Sequence, residues 1–396
     1  MIAPNRFNGE LLKFFNKLAV NLRFNCPPTI SPLAIPFIVD MLTFELFTPT
    51  DDLRPVFMAG SFNGWVTRDE RFKMEKIEEG RYRLVLPPDL HLGRTVEYKY
   101  VKGGWDSEEL DHEGFPPVNR KISTTHPKIS DVVPRWKHHG SGYDPAFYPD
   151  IRIVAKQFRI PQLGRRRRIS VLLPWNYKES NRRYPVLYLQ DGQNLFESGA
   201  PFGTWGVDKR MANLAQHGKG DFIVVAIDHG GKERIREFSP YSTARWGEGL
   251  GRDYARFLAE TLKPYIDKNF RTLPEREHTG IGGSSMGGLI SIYAGVMYPQ
   301  VYSKFMIFSP SLWVSQQIFR EPLRFHHLSP TKIYFYAGEQ ESASMAPGAR
   351  RFKDIIEQRG FQPGTVQFRL ELDPAGKHNE ARWGVEFPKA AHWLFG

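Results

Sequence analysis

Thr279-Gly280-Ile281-Gly282-Gly283-Ser284-Ser285-Met286-Gly287-Gly288-Leu289-Ile290-Ser291-Ile292-Tyr293-Ala294 decides the fold. A G-x-S-x-G pattern at residues 283–287 sits between a strand end and a helix start, as a strained strand–turn–helix serine requires. The turn demands small neighbours, because a side chain at Gly283 or Gly287 would clash. The Ser285 hydroxyl then stands at the positive end of the following helix, where a developing anion is stabilised. A Gly/Ser turn that merely packs a helix on a sheet is the bland alternative. The strand before and the helix after favour the reactive serine.

Outward from this stretch, strands and helices alternate. Val186-Leu187-Tyr188-Leu189, Phe222 to Ile227, Phe305 to Phe308 and Ile333 to Tyr336 are continuous apolar runs. Such runs suit central parallel strands covered on both faces. Tyr254, Phe257, Leu258, Leu262, Tyr265 and Ile266 line one face of a predicted helix, and Phe352, Ile355 and Ile356 mark another that stops near Gly360. The pattern predicts a doubly wound, mostly parallel α/β sheet over 151–396.

Residues 37–135 read differently. Leu42 to Phe47 alternates apolar and polar residues, and Val56 to Gly60, Tyr82 to Leu86 and Val96 to Tyr100 are further short runs broken by Gly, Pro and Asn. This spacing predicts a smaller, immunoglobulin-like β-sandwich. Residues 136–150, with His138, His139 and Pro145, read as a linker. The two histidines lack partners at metal-ligand spacing, so no metal site is expected. Residues 1–36 hold a candidate amphipathic helix around Leu11, Leu12, Phe14, Phe15 and Leu18, but Lys13 and Lys17 interrupt the apolar run of a secretory signal.

The 396 residues favour two or three domains. Cys26 is the single cysteine, which excludes an intramolecular disulfide. No apolar run of ~18 residues predicts a membrane-spanning helix. A cytoplasmic location is the resulting expectation. Lys plus Arg is 54 against 43 for Asp plus Glu, a formal net charge of +11. A nucleic-acid partner is one reading of that excess. The densest cluster, Arg165 to Arg168, runs into an apolar strand, where alternate side chains point to opposite faces. A solvated basic surface, without nucleic acid, is the expectation.

A serine hydroxyl needs a base. Among the histidines after Ser285, His378 lies in Gly376-Lys377-His378-Asn379-Glu380, following an alternating strand at Val366 to Leu372. Loops at the carboxyl ends of parallel strands are where such sheets bind ligands. His326 and His327 precede the Ile333 strand, and His392 sits in an apolar terminal segment. The acid should follow the Ile333 strand, where position leaves Glu339 and Glu341 equal. An oxyanion needs two N–H donors, and the Met286 N–H beside the serine and the Gln193 N–H after the Leu187 strand are the candidates. Trp205 reads as a core residue.

These residues resemble the putative-esterase family, the esterase D and enterochelin-esterase-like branch of the α/β hydrolases. The resemblance covers about 151–396. It rests on Tyr184-Pro185-Val186-Leu187-Tyr188-Leu189-Gln190-Asp191-Gly192-Gln193, Arg236-Glu237-Phe238-Ser239-Pro240, Gly282 to Gly288, Phe308-Ser309-Pro310-Ser311 and His378-Asn379-Glu380. It implies carboxylic ester hydrolysis through an acyl-enzyme, without metal or cofactor. The family's G-x-x-[DE] pattern selects Glu341 as the acid. Members of that family include feruloyl and acetyl xylan esterases, siderophore esterases and S-formylglutathione hydrolases. A siderophore esterase, an acyltransferase and a catalytically silent glycan-binding or scaffold protein are the alternatives.

The sandwich is similar to glycogen- and starch-binding modules, such as that of the AMP-activated kinase β subunit. Gly60-Ser61-Phe62-Asn63-Gly64-Trp65, Tyr98-Lys99-Tyr100, Gly104-Trp105 and Val118-Asn119-Arg120 carry the likeness. It implies that Trp65 and Trp105 stack on sugar rings while Lys99 and Asn119 bond hydroxyls. A tryptophan pair that covers an interface is the equal alternative. A sandwich that binds polysaccharide points to esters of plant polysaccharides.

Overall fold

The computed structural model describes residues 42–396 except 50–53, 91, 112–113, 115, 125–127, 138–142, 197–199, 201, 325–329 and 359–364, with backbone alone at 322–324. The candidate helix near Leu11, the paired His138 and His139, and His326 and His327 therefore lie outside the described residues.

Short strands fill the N-terminal region: β1 (Thr43–Phe47), β2 (Phe57–Gly60), β3 (Glu75–Glu78), β4 (Arg81–Val85), β5 (Thr95–Val101), β6 (Glu109–Leu110), β7 (Arg120–Ser123), β8 (Lys128–Val132) and β9 (Arg135–Trp136). They form sheets in the orders β3-β4-β1-β8, β2-β5-β7 and β6-β9. Alternation decides which face is buried. Phe44 and Leu46 of β1 and Tyr82 and Leu84 of β4 turn inward, where they meet Met58, Val96, Tyr98 and Tyr100. Thr43 and Glu45 between them face outward.

The second region is a single eight-stranded sheet, ordered β10-β11-β13-β12-β14-β15-β16-β17. Its strands are β10 (Asp150–Ile160), β11 (Arg165–Leu173), β12 (Val186–Gln190), β13 (Ile223–Ile227), β14 (Thr279–Ser284), β15 (Lys304–Phe308), β16 (Thr331–Gly338) and β17 (Val366–Asp373). From β13 to β17 every neighbour is parallel, while β10 and β11 run as an antiparallel edge. The helices are α1 (Val207–Gln216), α2 (Arg234–Glu237), α3 (Gly251–Phe257), α4 (Lys263–Asn269), α5 (Met286–Met297), α6 (Met345–Gln358) and α7 (Glu380–Phe395). Helices on both faces explain why the central strands β12, β13 and β14 are buried at every position. In β12, Val186 and Tyr188 join the core under α3 and α5, while Leu187 and Leu189 join the core under α1 and α7. Trp205 is buried in that second core, against Phe308 and Trp383.

The predicted Tyr254–Ile266 helix is broken into α3, a π-helical turn over Leu258–Leu262, and α4. Pro264 accounts for the break: it has no N–H to donate, and its ring clashes with the carbonyl one turn back. The arginine run is largely spent inside the molecule. Arg165 and Arg167 both hold the buried Glu237, Arg168 meets Asp228 at 2.9 Å, and Arg166 is exposed. No described helix is long and apolar enough to cross a membrane.

Candidate active site

Parallel strands bring their carboxyl ends to one edge, and the loops that follow β12, β14, β15, β16 and β17 meet there. Ser285 lies between β14 and α5 with φ 56° and ψ −121°, a conformation that side chains seldom adopt. Its neighbours hold it. The Ser285 N–H donates to the Phe308 carbonyl at 3.0 Å, and its own carbonyl accepts from Ser311 N–H at 3.0 Å and Leu289 N–H at 3.2 Å. The glycines leave the required space. A Cβ on Gly283 would stand 3.0 Å from the Gly287 carbonyl carbon, and one on Gly287 would stand 3.0 Å from Asp191 Oδ2. Ser285 Oγ is 3.2 Å from Ser311 Oγ.

The histidine arm is assembled from three further elements. His378 Nδ1 lies 2.6 Å from Glu341 Oε2, and the Glu341 side chain is 1% exposed. Its other oxygen accepts from Gly338 N–H at 2.7 Å and from Ser309 Oγ–H at 2.5 Å. Ser309 in turn accepts from Trp383 Nε1–H at 2.9 Å. The indole of Trp383 also meets the His378 ring edge-on, with centroids 4.8 Å apart. With the proton on Nδ1, the ring donates to this carboxylate and its Nε2 is left as an acceptor for a further partner. Glu339, equal to Glu341 by position, turns instead to Arg350 at 3.3 Å. His392 stands at the other end of α7, 3.4 Å from Lys219 Nζ.

The loop after β12 forms the adjoining wall. Asp191 has φ 61° and ψ 47°, and Arg234 grips its carboxylate through Nε at 2.6 Å and Nη2 at 2.8 Å. Gln193 follows in a short 3-10 turn, and its side-chain carbonyl accepts from His229 N–H at 3.0 Å. β12 and β14 are paired neighbours, with Leu189 opposite Gly282, so Gln193 and Met286 leave adjacent strand ends. The first N–H groups of a helix lack intrahelical partners. Burial pushes the His229 imidazole below its ordinary pKa, opposed by Asp191. Burial raises the Glu380 carboxyl, and the Asp191 carboxylate adds to the shift. Glu380 accepts from Asn194 Nδ2 at 3.2 Å.

Ser309, Ser311, Trp383 and the Asp191–Arg234 pair had no assigned role in the sequence reading. Phe308-Ser309-Pro310-Ser311 carried the family likeness without showing which hydroxyl turns to which partner. Trp383 lies five residues beyond His378 on an apolar helix face, where core packing is the ordinary reading.

In the sandwich, the two indoles come together, with Trp65 and Trp105 centroids 6.2 Å apart and their planes at 40°. Trp105 is 42% exposed, and Trp65 packs on Phe57, Ala59 and Val101. The polar pair is engaged elsewhere. Lys99 is buried, 2.9 Å from Glu108, and Asn119 donates to Glu97 at 3.1 Å.

Comparison with known proteins identifies the second region. Residues 160–394 match the family model described as "Putative esterase". Over 245 residues, 58% of this chain and 93% of the relative, the chain is 23% identical to the uncharacterized protein YbbA of Bacillus subtilis. Over 204 residues it is 25% identical to the endo-1,4-beta-xylanase/feruloyl esterase of Xylanibacter ruminicola, a match that takes in half of this chain and 26% of that one. The crystal structure of the BES protein from Bacillus cereus superposes with a TM-score of 0.50 at 18% identity, covering 63% of this chain and 95% of that one. The chain belongs to the Putative esterase family and is a carboxylic ester hydrolase with the α/β-hydrolase fold.

Proposed function

We propose that the chain hydrolyses carboxylic esters through an acyl-enzyme on Ser285. His378 Nε2 takes the proton of Ser285 Oγ as that oxygen attacks the ester carbonyl. Glu341 orients the ring and stabilises the imidazolium. The N–H groups of Met286 and Gln193 receive the negative charge on the carbonyl oxygen. His378 then gives its proton to the departing alcohol, and in the second half takes one from the water that frees the acid. One observation carries this reading: a carboxylate nine-tenths and more enclosed, fixed by two donors, ends on a part-exposed imidazole at the edge that also bears the strained serine.

The test is direct. Ser285→Ala should lower kcat on p-nitrophenyl acetate by at least about 10³-fold, with the melting temperature preserved. It should also abolish labelling by a fluorophosphonate. Labelling that persists in that variant would remove Ser285 from the mechanism. Product analysis with added alcohol separates hydrolysis from acyl transfer.

We propose a second role on the exposed Trp105 beside Trp65: stacking on the sugar rings of a polysaccharide whose esters the second region cleaves. With Lys99 and Asn119 paired to carboxylates, this contact relies on aromatic faces. Affinity electrophoresis in soluble starch and in xylan tests it, since a Trp105→Ala variant should lose any retardation. Equal retardation of both proteins would end the proposal.

A further inference from the structure

A cavity of about 320 Å³ opens at the same sheet edge, between the segment that follows β15 and the first turns of α6. Its size is at the small end of ligand pockets, roughly 300–1,000 Å³. Its position ties it to the chemistry. Pro310 and Leu312 line it and flank Ser311, whose hydroxyl is 3.2 Å from Ser285 Oγ. Ser344 and Met345 line the other side, just after Glu341.

Two features show that the space is built rather than left over. Gly348 lies inside α6, where a glycine weakens a helix. Its backbone does not have positive φ, and a Cβ added there would meet only Leu312 Cδ1, at 3.5 Å. The missing side chain is therefore explained neither by backbone conformation nor by crowding, and what it leaves is room in the cavity. The second feature is Arg351, one turn further along α6. Its guanidinium lies 4.0 Å above the Phe319 ring and donates to Gln316 at 2.8 Å. Among the described residues no carboxylate pairs with it, and none lines the cavity. Trp313, 57% exposed, stands at the mouth against Trp246.

We propose that this cavity is the acyl subsite, and that it selects an acyl chain with an apolar body and an anionic far end, as in the half-ester of a dicarboxylic acid. Leu312, Phe319 and Met345 cover the methylenes, and Arg351 receives the terminal carboxylate through its planar N–H fork. The inference rests on the proposed role of Ser285.

The experiment compares three p-nitrophenyl esters with a common leaving group: acetate, hexanoate and the monoester of adipic acid. Wild-type kcat/KM should be at least tenfold higher on the adipate monoester than on hexanoate. Arg351→Gln should bring that ratio to within twofold of unity. Gly348→Phe should lower the hexanoate-to-acetate ratio at least tenfold, and the smaller Gly348→Leu should lower it in the same direction. Melting temperatures report that each variant is folded. An active enzyme with no adipate preference, or with ratios that Gly348→Phe and Gly348→Leu leave unchanged, would overturn the subsite alone. An enzyme inert on all three esters would overturn the role of Ser285 and the subsite with it.

Discussion

The strand-end edge that carries Ser285 and the sandwich spend their polar side chains in opposite ways. At the edge, hydrogen bonds converge on one carboxylate: Trp383 donates to Ser309, Ser309 and Gly338 donate to one oxygen of Glu341, and its other oxygen meets the His378 ring at 2.6 Å. The series ends on a ring with one nitrogen left for a further partner. In the sandwich the polar groups close on one another. Lys99 and Lys137 share Glu108, and Arg120 bridges Glu109 and Asp131. Beside these pairs the Trp105 indole is 42% exposed. One region gathers its polar groups around a single imidazole, and the other pairs them off in ion pairs. The difference lies in where the hydrogen bonds terminate, since both regions are rich in charge.

That contrast breaks first at the carboxylate. Glu341→Gln should lower kcat by about 10²–10⁴-fold, because the amide presents a donor where the Nδ1–H needs an acceptor. Glu339→Gln should stay within about twofold. Steady-state kinetics on p-nitrophenyl acetate decides, and equal losses would mean that the 2.6 Å contact does not orient the base.

Ser309→Ala removes the middle of the series. Trp383 Nε1–H then loses its partner in a buried place, at a cost of about 1–3 kcal/mol. Urea denaturation should show that loss, and kcat should fall while KM stays constant. A stability loss with unchanged kcat would reduce Ser309 to a packing role.

The sandwich is sharpened by a pair of variants. Lys99→Met breaks a largely enclosed ion pair but leaves Glu108 with Lys137, so it should cost about 1–3 kcal/mol of stability. Trp105→Ala should change stability by less, since its ring is half exposed. Neither should alter esterase kinetics. A larger thermal shift for Trp105→Ala would show that the indole is structural.

The smallest effect concerns pH. Glu380 has its folded pKa raised by burial and by Asp191, so folding disfavours its charged form. Its contribution is fully present below the unfolded value of about 4.3 and is lost as pH rises through the raised folded value. Glu380→Gln should therefore gain stability over wild type at pH 7 and match it near pH 3.5. Melting curves at the two pH values check the sign, and an equal difference at both would refute the assignment.

Much of the α/β region was legible because local rules and global fold agree. Val186 to Leu189 is apolar at every position, and helices do cover both faces. Leu42 to Phe47 alternates, and only Phe44 and Leu46 of β1 reach the sandwich core. The π-helical turn before Pro264 was not read, although the proline that causes it was in plain view. Periodicity reports a face and is blind to a single skipped hydrogen bond. Glu339 and Glu341 were indistinguishable by position, two residues apart after one strand. Arg350, on the next helix, takes one of them, while Gly338 and Ser309 capture the other.

The sequence alone determined the sheet type and the strained serine between Gly283 and Gly287. Those follow from steric and periodic constraints that act over a few residues. The tertiary structure decided which carboxylate meets His378, that Ser309 and Trp383 hold them, and that Lys99 faces Glu108. Each of those is a contact between segments nine to more than seventy residues apart. Their side chains compete for the same few partners, and only the packed arrangement of strand ends settles the competition.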